Sequence, residues 1–260
     1  MRRYANYIFD LYGTLIDIET NEESPALWKR MAQLYSVYGA DYKPQELHKT
    51  YLALVREEEE NLGRENGSDY PEISLEDVFV RLYKEARHHH ESVLELSDDQ
   101  MEAFSTFIAN AFRVLSRKRI KAYDNTEKVL RTLKERGCGV YLLSNAQYIF
   151  TMPEIEQTGL VSYFNGIYIS SKKEVRKPDP AFMLGLLEEY GLKKEDCVMV
   201  GNDYDSDIGI AASVGMDSIF INSFELSEAE KEKRLNAMRK RVGCKDYEPV
   251  LSVEEIGGVI

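Results

Sequence analysis

Four short stretches carry residue types suited to chemistry on an anionic substrate. Asp10 ends the apolar run Tyr7-Ile8-Phe9 and precedes Leu11-Tyr12-Gly13-Thr14-Leu15, so its carboxylate stands at the end of a buried strand before a glycine turn. A carboxylate fixed there can attack a substrate, and it can equally cap its own loop. Ser144-Asn145 follows Val140-Tyr141-Leu142-Leu143 and offers a hydroxyl beside loop N–H groups, which suit phosphate or carboxylate oxygens. Lys177 lies in Arg176-Lys177-Pro178-Asp179-Pro180. The prolines keep that loop extended, and an ammonium there can balance an attacking carboxylate and an oxyanion. Gly201-Asn202-Asp203 follows Val198-Met199-Val200, with Asp207 four residues beyond Asp203. On a helix those two acids share a face and can hold or orient a hard cation.

The surrounding pattern says what positions these groups. After residue 120 strands and helices alternate: a helix over 126–136, a strand ending at Ser144, a strand over 167–169 and a helix over 180–190. A strand over 198–200, a helix stopping at Gly215 and a strand over 218–221 follow. Alternation at this spacing predicts a Rossmann-like parallel sheet with helices on both faces. Ligands of such sheets sit outside the carboxyl ends of the strands, where Asp10, Ser144 and Asn202-Asp203 fall. From about residue 24 to 117 the pattern predicts helices alone. Ser24-Pro25 opens the first, with Leu27, Met31, Leu34 and Tyr35 on one face. Pro44 opens the second, which Gly63 should stop; Ser74 opens the third, with Val78, Phe79 and Leu82 at helical spacing. Ser97 and Gln100 have capping-box spacing for the fourth. The expected organisation is therefore an α/β core, 1–16 and 121–260, interrupted by an all-helical insertion over 17–120. A charged helix over 225–241 closes the readable pattern.

The 260 residues include 33 Lys plus Arg and 45 Asp plus Glu, a net charge of −12. That field repels a duplex phosphate backbone and excludes nucleic acid as a general partner, while leaving room for a local anion pocket. No window approaches 18 uninterrupted apolar residues, so no membrane span is expected. Met1-Arg2-Arg3 meets Asp10 before a signal-peptide apolar region can build. Cys138, Cys197 and Cys244 are far apart and lack CxxC spacing, as reduced thiols of a cytoplasmic protein would be. Oligomeric state has no signature in the sequence.

Taken in order, the four stretches resemble the motifs of the haloacid dehalogenase superfamily of hydrolases: Asp10-Leu11-Tyr12-Gly13-Thr14, Ser144, Lys177, and Gly201-Asn202-Asp203 through Asp207. The 134 residues from Asp10 to Ser144 leave room for the helical cap that many members carry after the first motif. The 33 from Ser144 to Lys177 leave none for a second. The resemblance implies that Asp10 is a nucleophile forming a covalent intermediate, which water then hydrolyses. It implies that Thr14 supports the nucleophile loop, that Ser144 with Asn145 holds substrate oxygens, and that Lys177 balances charge. In the phosphatases of the superfamily Mg²⁺ sits on the nucleophile, on a backbone carbonyl two residues later, here Tyr12, and on the fourth-motif acid. The expected ligands are thus Asp10, Tyr12 and Asp203, with Asn202 or Asp207 in support.

Two positions depart from the phosphatase pattern. Tyr12 stands where phosphatases usually carry a second Asp that protonates the leaving alkoxide, and a phenol is a poor acid at neutral pH. Members cleaving carbon–halogen bonds often show Asp-x-Tyr-Gly-Thr, because halide leaves without a proton. Asn202 stands where many phosphatases have a metal-binding Asp. The acidic fourth motif nevertheless favours a Mg²⁺-dependent phosphatase for a small, anionic, phosphorylated metabolite. The alternatives are a metal-independent 2-haloacid dehalogenase and a catalytically weak binding or regulatory member of the fold.

Other conspicuous residues have blander readings. His88-His89-His90 should end a helix of the insertion, where three consecutive side chains point in three directions. The run from Glu57 to Glu60 reads as a solvated helix face, and Trp28, Tyr35, Tyr38 and Tyr51 as the core of the insertion. Arg30 is the insertion's candidate for gripping an anionic substrate.

Overall fold

The computed structural model describes residues 4–86, 88–89 and 96–260. The chain opens with β1 (Asn6–Phe9) and β2 (Ile16–Thr20), then α1 (Pro25–Val37), β3 (Ala40–Asp41), α2 (Pro44–Asn66), α3 (Leu75–Lys84) and β4 (His88–His89). It continues through α4 (Asp98–Ser116), β5 (Arg117–Ala122), α5 (Thr126–Glu135), β6 (Gly139–Ser144), α6 (Tyr148–Gln157) and β7 (Gly166–Ile169). Next come α7 (Pro180–Glu189), β8 (Cys197–Gly201), α8 (Gly209–Val214), β9 (Asp217–Ile221), α9 (Glu228–Val242) and β10 (Leu251–Val253).

The central sheet has the order β10-β9-β8-β1-β6-β7, with every pairing parallel. Alternation along its strands sorts side chains to two faces. Tyr7 and Phe9 of β1, Val140 and Leu142 of β6, and Val198 and Val200 of β8 pack with Val129, Leu130 and Leu133 of α5. Ile8, Leu143 and Met199 pack the other way, against Phe182, Met183 and Leu186 of α7 and Ile210 of α8. Apolar side chains on both faces are why these strands read as continuous hydrophobic runs.

Helices α1 to α4 share a separate apolar cluster that includes Leu27, Met31, Tyr35, Phe79, Phe104 and Phe112. Phe150 of α6 joins it, so this cluster is anchored on the sheet-bearing part of the chain. The two connecting stretches run side by side: β2 pairs antiparallel with β5, from Ile16 opposite Ala122 to Thr20 opposite Arg117.

Four local expectations need correction. The segment from 24 to 117 is not helix-only, because β3 and β4 form a two-residue antiparallel pair. That pair takes the backbone of His88–His89 out of α3, which ends at Lys84, while His90 lies outside the described residues. Helix α2 runs through Gly63 and stops at Gly67, which adopts the left-handed conformation at φ 72°. Gly63 instead permits a close approach, since a Cβ there would meet the Ser68 carbonyl at 3.1 Å. Helix α6 and strand β10 had no sequence signal; α6 carries Pro153 within it, and β10 spans three residues.

Candidate active site

The ends of β1, β6 and β8 bring the four motifs to one place. Phe9 pairs with Leu142 on one side and Val200 on the other, and the Asp10 N–H continues the ladder to the Val200 carbonyl at 2.9 Å. Asp10 is therefore fixed by backbone before its side chain makes a contact. The chain then reverses through Gly13 at φ 84°, where a Cβ would collide with the Asn202 side chain. A glycine is needed there for the turn and for the approach of the fourth motif.

Lys177 ties the carboxylates together. Its Nζ donates to Asp10 Oδ1 at 2.6 Å, to Asp207 Oδ1 at 2.7 Å and to the Leu143 carbonyl at 2.8 Å. Three acceptors match the three N–H bonds of an ammonium. Asp207 Oδ2 accepts from the backbone N–H groups of Asn202 and Asp203, both at 3.0 Å. Burial pushes the Asp207 carboxyl up to about 7, the Lys177 ammonium pulls it back, and Asp10 adds to the rise. Two carboxyl groups thus share the one buried ammonium.

The Asn145 side chain turns to the Lys177 loop. Its Oδ1 accepts from the Lys177 N–H at 2.7 Å and its Nδ2 donates to the Lys177 carbonyl at 2.9 Å. Both ends of the amide clamp the Lys177 backbone. Ser144 differs: its Oγ is buried without a hydrogen-bond partner, one residue beyond the Leu143 carbonyl that Lys177 holds. A buried hydroxyl left unpaired costs about 1–3 kcal/mol, which an incoming oxyanion would recover.

The fourth motif assigns its residues differently from the expectation. Asp203 Oδ1 accepts from the Ser206 N–H at 2.6 Å and the Ser206 hydroxyl at 2.9 Å, capping a π-helical turn over Tyr204–Ile208. Asn202 reaches the loop after Asp10: Thr14 Oγ1 lies 3.2 Å from Asn202 Oδ1 and 3.1 Å from Asp10 Oδ2. One hydroxyl proton cannot serve both oxygens, so one acceptor lacks a donor. Among the described residues no three His, Cys, Asp or Glu side chains converge to hold a metal ion. A cation here would rest on one carboxylate, neutral oxygens and water, a donor set that Mg²⁺ accepts.

The Tyr12 phenol donates to Glu154 of α6. Burial foremost, and then the Glu154 charge, raise its pKa well above the ordinary tyrosine value. Glu154 is only 1% exposed and receives Arg113 at 2.8 and 3.0 Å and Arg117 at 2.8 Å. The Arg113 guanidinium also lies 5.5 Å from the Tyr12 ring centroid. Arg113 and Arg117, four apart at the end of α4, are a spacing visible in the sequence; Glu154 was hidden with α6. Arg30 lies on the exposed face of α1, and among the described residues Arg113 of α4 reaches the loop after Asp10 through Glu154. Glu154→Ala would leave the phenol and two partly buried guanidiniums without their acceptor. We expect a loss of about 3 kcal/mol in urea unfolding, the lower end for a broken buried pair because the arginines can rehydrate.

A family model of haloacid dehalogenase-like hydrolases matches residues 4–215. The chain is a haloacid dehalogenase-like hydrolase. A glyceraldehyde 3-phosphate phosphatase of Methanothermobacter thermautotrophicus is 32% identical to this hydrolase over 113 residues, 44% of the chain and 50% of the relative. A protein of the same description from Pyrococcus furiosus is 24% identical over 235 residues, 89% of the chain and 86% of the relative. Over the first curated relatives the hydrolase spans from 50% to 63% of their length. A 2-haloacid dehalogenase of Pseudomonas syringae superposes with a TM-score of 0.67 at 16% identity, covering 98% of this chain and 96% of that one, and shares the fold. No helix among the described residues is long and apolar enough to cross a membrane.

Proposed function

We propose that this hydrolase is a Mg²⁺-dependent phosphatase for a small phosphorylated metabolite, working through an aspartyl-phosphate on Asp10. The observation that carries the reading is the buried, unpartnered Ser144 hydroxyl, one residue beyond the Leu143 carbonyl held by the Lys177 ammonium that also holds Asp10. Ser144 and the loop N–H groups bind the phosphoryl oxygens, and Lys177 holds Asp10 oriented for in-line attack. Thr14 supports the nucleophile loop through Asp10 Oδ2. Asp207 positions Lys177 and braces the fourth motif through the N–H groups of Asn202 and Asp203. The phosphatase names of the curated relatives support the same reaction class.

Charge balance supports the cation. A phosphate dianion arriving where one ammonium is already shared by two carboxyl groups finds too little positive charge, and a divalent ion supplies it. Asp10, the Tyr12 carbonyl and Asn202 Oδ1 would hold Mg²⁺, with Asn202 in the place that the sequence assigned to Asp203. Bound there, Mg²⁺ neutralises the charge that gathers on the phosphoryl oxygens.

We propose further that α1 to α4 are a cap that closes over the site and excludes water. The connection from α2 to α3 reaches the loop that carries Lys177: the Arg176 N–H donates to the Tyr70 carbonyl at 3.0 Å, and Pro71 bridges to Val175. Gln147 joins the same contact, donating to Glu72 and to the Ile73 carbonyl at 2.9 Å each.

The Tyr12–Glu154 bond favours a second reading, cleavage of a carbon–halogen bond, because halide departs without a proton. Phosphate release from 4-nitrophenyl phosphate and halide release from 2-chloropropionate, each with Mg²⁺ and with chelator, separate the two. We expect phosphate release to fall at least about 100-fold on chelation, and calorimetry to show Mg²⁺ binding in the millimolar range or tighter. Halide release indifferent to chelator, without phosphate release, would replace the phosphatase by the dehalogenase.

A further inference from the structure

Whether a leaving group needs a proton depends on its own basicity. An alkoxide leaving phosphorus needs one; a carboxylate does not. Around Asp10 the proton donors are already committed. The three N–H bonds of Lys177 go to Asp10, Asp207 and the Leu143 carbonyl. The Thr14 hydroxyl has two acceptors for its one hydrogen, Asp10 Oδ2 and Asn202 Oδ1. Asp207, although burial raises its carboxyl, accepts at both oxygens from Lys177 and two backbone N–H groups, so neither oxygen is free to pass a proton to a substrate. Asp203 accepts twice from Ser206. The Tyr12 phenol spends its hydrogen on Glu154, which Arg113 and Arg117 hold as a carboxylate. The Ser144 hydroxyl is unpartnered, but an alcohol is no stronger an acid than the alcohol it would have to release.

Resting on the phosphatase reading above, we infer that the substrates of this site are acyl phosphates, the mixed anhydrides of phosphoric and carboxylic acids, in preference to alkyl phosphate esters. An Asp10 oxygen forms a bond to phosphorus while the bond from phosphorus to the acyl oxygen breaks. The electron pair leaves with the carboxylate, which departs unprotonated. Water then adds to the phosphorus of the aspartyl phosphate and the bond to Asp10 breaks. Asp10 returns as a carboxylate, and both protons of the water leave on inorganic phosphate. The first step draws on no acid, in keeping with the donors the site has.

The test compares kcat/KM for acetyl phosphate and glycerol phosphate, with Mg²⁺, in the wild type and in Tyr12→Phe; Asp10→Asn protein supplies the non-enzymatic background. General acid catalysis is worth about 10²- to 10⁴-fold, so its absence predicts at least a gap of about 100-fold in favour of acetyl phosphate. Tyr12→Phe should leave that ratio unchanged, because the phenol takes no part in proton transfer to the leaving group. Tyr12→Asp, where it folds, should narrow the gap by about tenfold or more, through faster turnover of glycerol phosphate. A smaller gap in the wild type overturns the inference and leaves the phosphatase reading standing. A selective loss of glycerol phosphate turnover in Tyr12→Phe overturns it too, by showing the phenol to be the acid. Turnover of neither phosphate, with halide release from 2-chloropropionate intact, removes the phosphatase reading itself.

Discussion

Asp10→Asn is expected to abolish turnover, by at least about 10⁴-fold, while leaving the fold intact. An amide cannot form the covalent intermediate, and no other carboxylate takes its place. Asp207 is held at both oxygens, and Asp203 caps its own turn. The substitution is nearly isosteric, and the network around it can absorb the change. Asn Oδ1 still accepts from Lys177, as Asp10 Oδ1 does at 2.6 Å. Its Nδ2 can donate to Thr14 Oγ1, freeing the Thr14 hydrogen for Asn202 Oδ1, which now competes for it. Removing one of two buried carboxylates around one ammonium also relieves their repulsion. Thermal unfolding should therefore stay within a few degrees of the wild type. Steady-state turnover above about one part in 10³, in protein shown by mass to retain Asn at this position, would exclude Asp10 as the nucleophile.

The separation of catalytic groups from their supports also marks what the sequence could and could not show. Asp10 and Ser144 were legible because each follows a short apolar run, and Lys177 because it precedes Pro178 and Pro180; strand ends of a parallel sheet converge at one edge. The two faces of the sheet were legible in continuous runs such as Val198-Met199-Val200. Asn145 stood with Ser144 among the expected substrate ligands; only the fold of the Lys177 loop back onto it shows both of its ends spent on backbone. Asn202 and Asp203 are adjacent, so their side chains point in different directions. A π-helical turn with Asp203 as its cap decides which one faces Thr14. Glu154 was invisible for a different reason: Pro153 sits beside it inside α6, which had no sequence signal. Without that helix, the Tyr12 phenol had no partner to be committed to. The insertion's helices followed from their apolar spacing, whereas the β3–β4 pair, two residues on each side, is too short for any periodicity to announce.

Lys177→Met should cost more stability than Glu154→Ala, and its cost should depend on pH in a direction fixed by the carboxylates it abandons. The Lys177 side chain is 1% exposed, and its two carboxylate partners are 11% and 1% exposed. Methionine fills the aliphatic path but donates nothing, so Asp10, Asp207 and the Leu143 carbonyl all lose their shared donor. Breaking a buried pair by removing one partner costs about 3–5 kcal/mol, and two carboxylates place this case at the upper end. The folded variant can lower that cost by taking up a proton. Burial already raises the Asp207 carboxyl, and Lys177 is the group pulling it back, so its removal raises Asp207 further. Between the raised wild-type value of about 7 and the still higher value in the variant, the folded variant binds more protons than the folded wild type, while the unfolded chains titrate alike at this carboxyl. Stability relative to the wild type must then fall as pH rises. Urea unfolding with chelator present should show a smaller deficit at pH 5 than at pH 8. A deficit independent of pH would mean that water, rather than a proton, satisfies the abandoned carboxylates. A deficit under about 1 kcal/mol would mean that the triad contributes little net stability. Because Lys177 also orients Asp10, turnover should be lost at both pH values, including pH 5, where much of the stability is recovered.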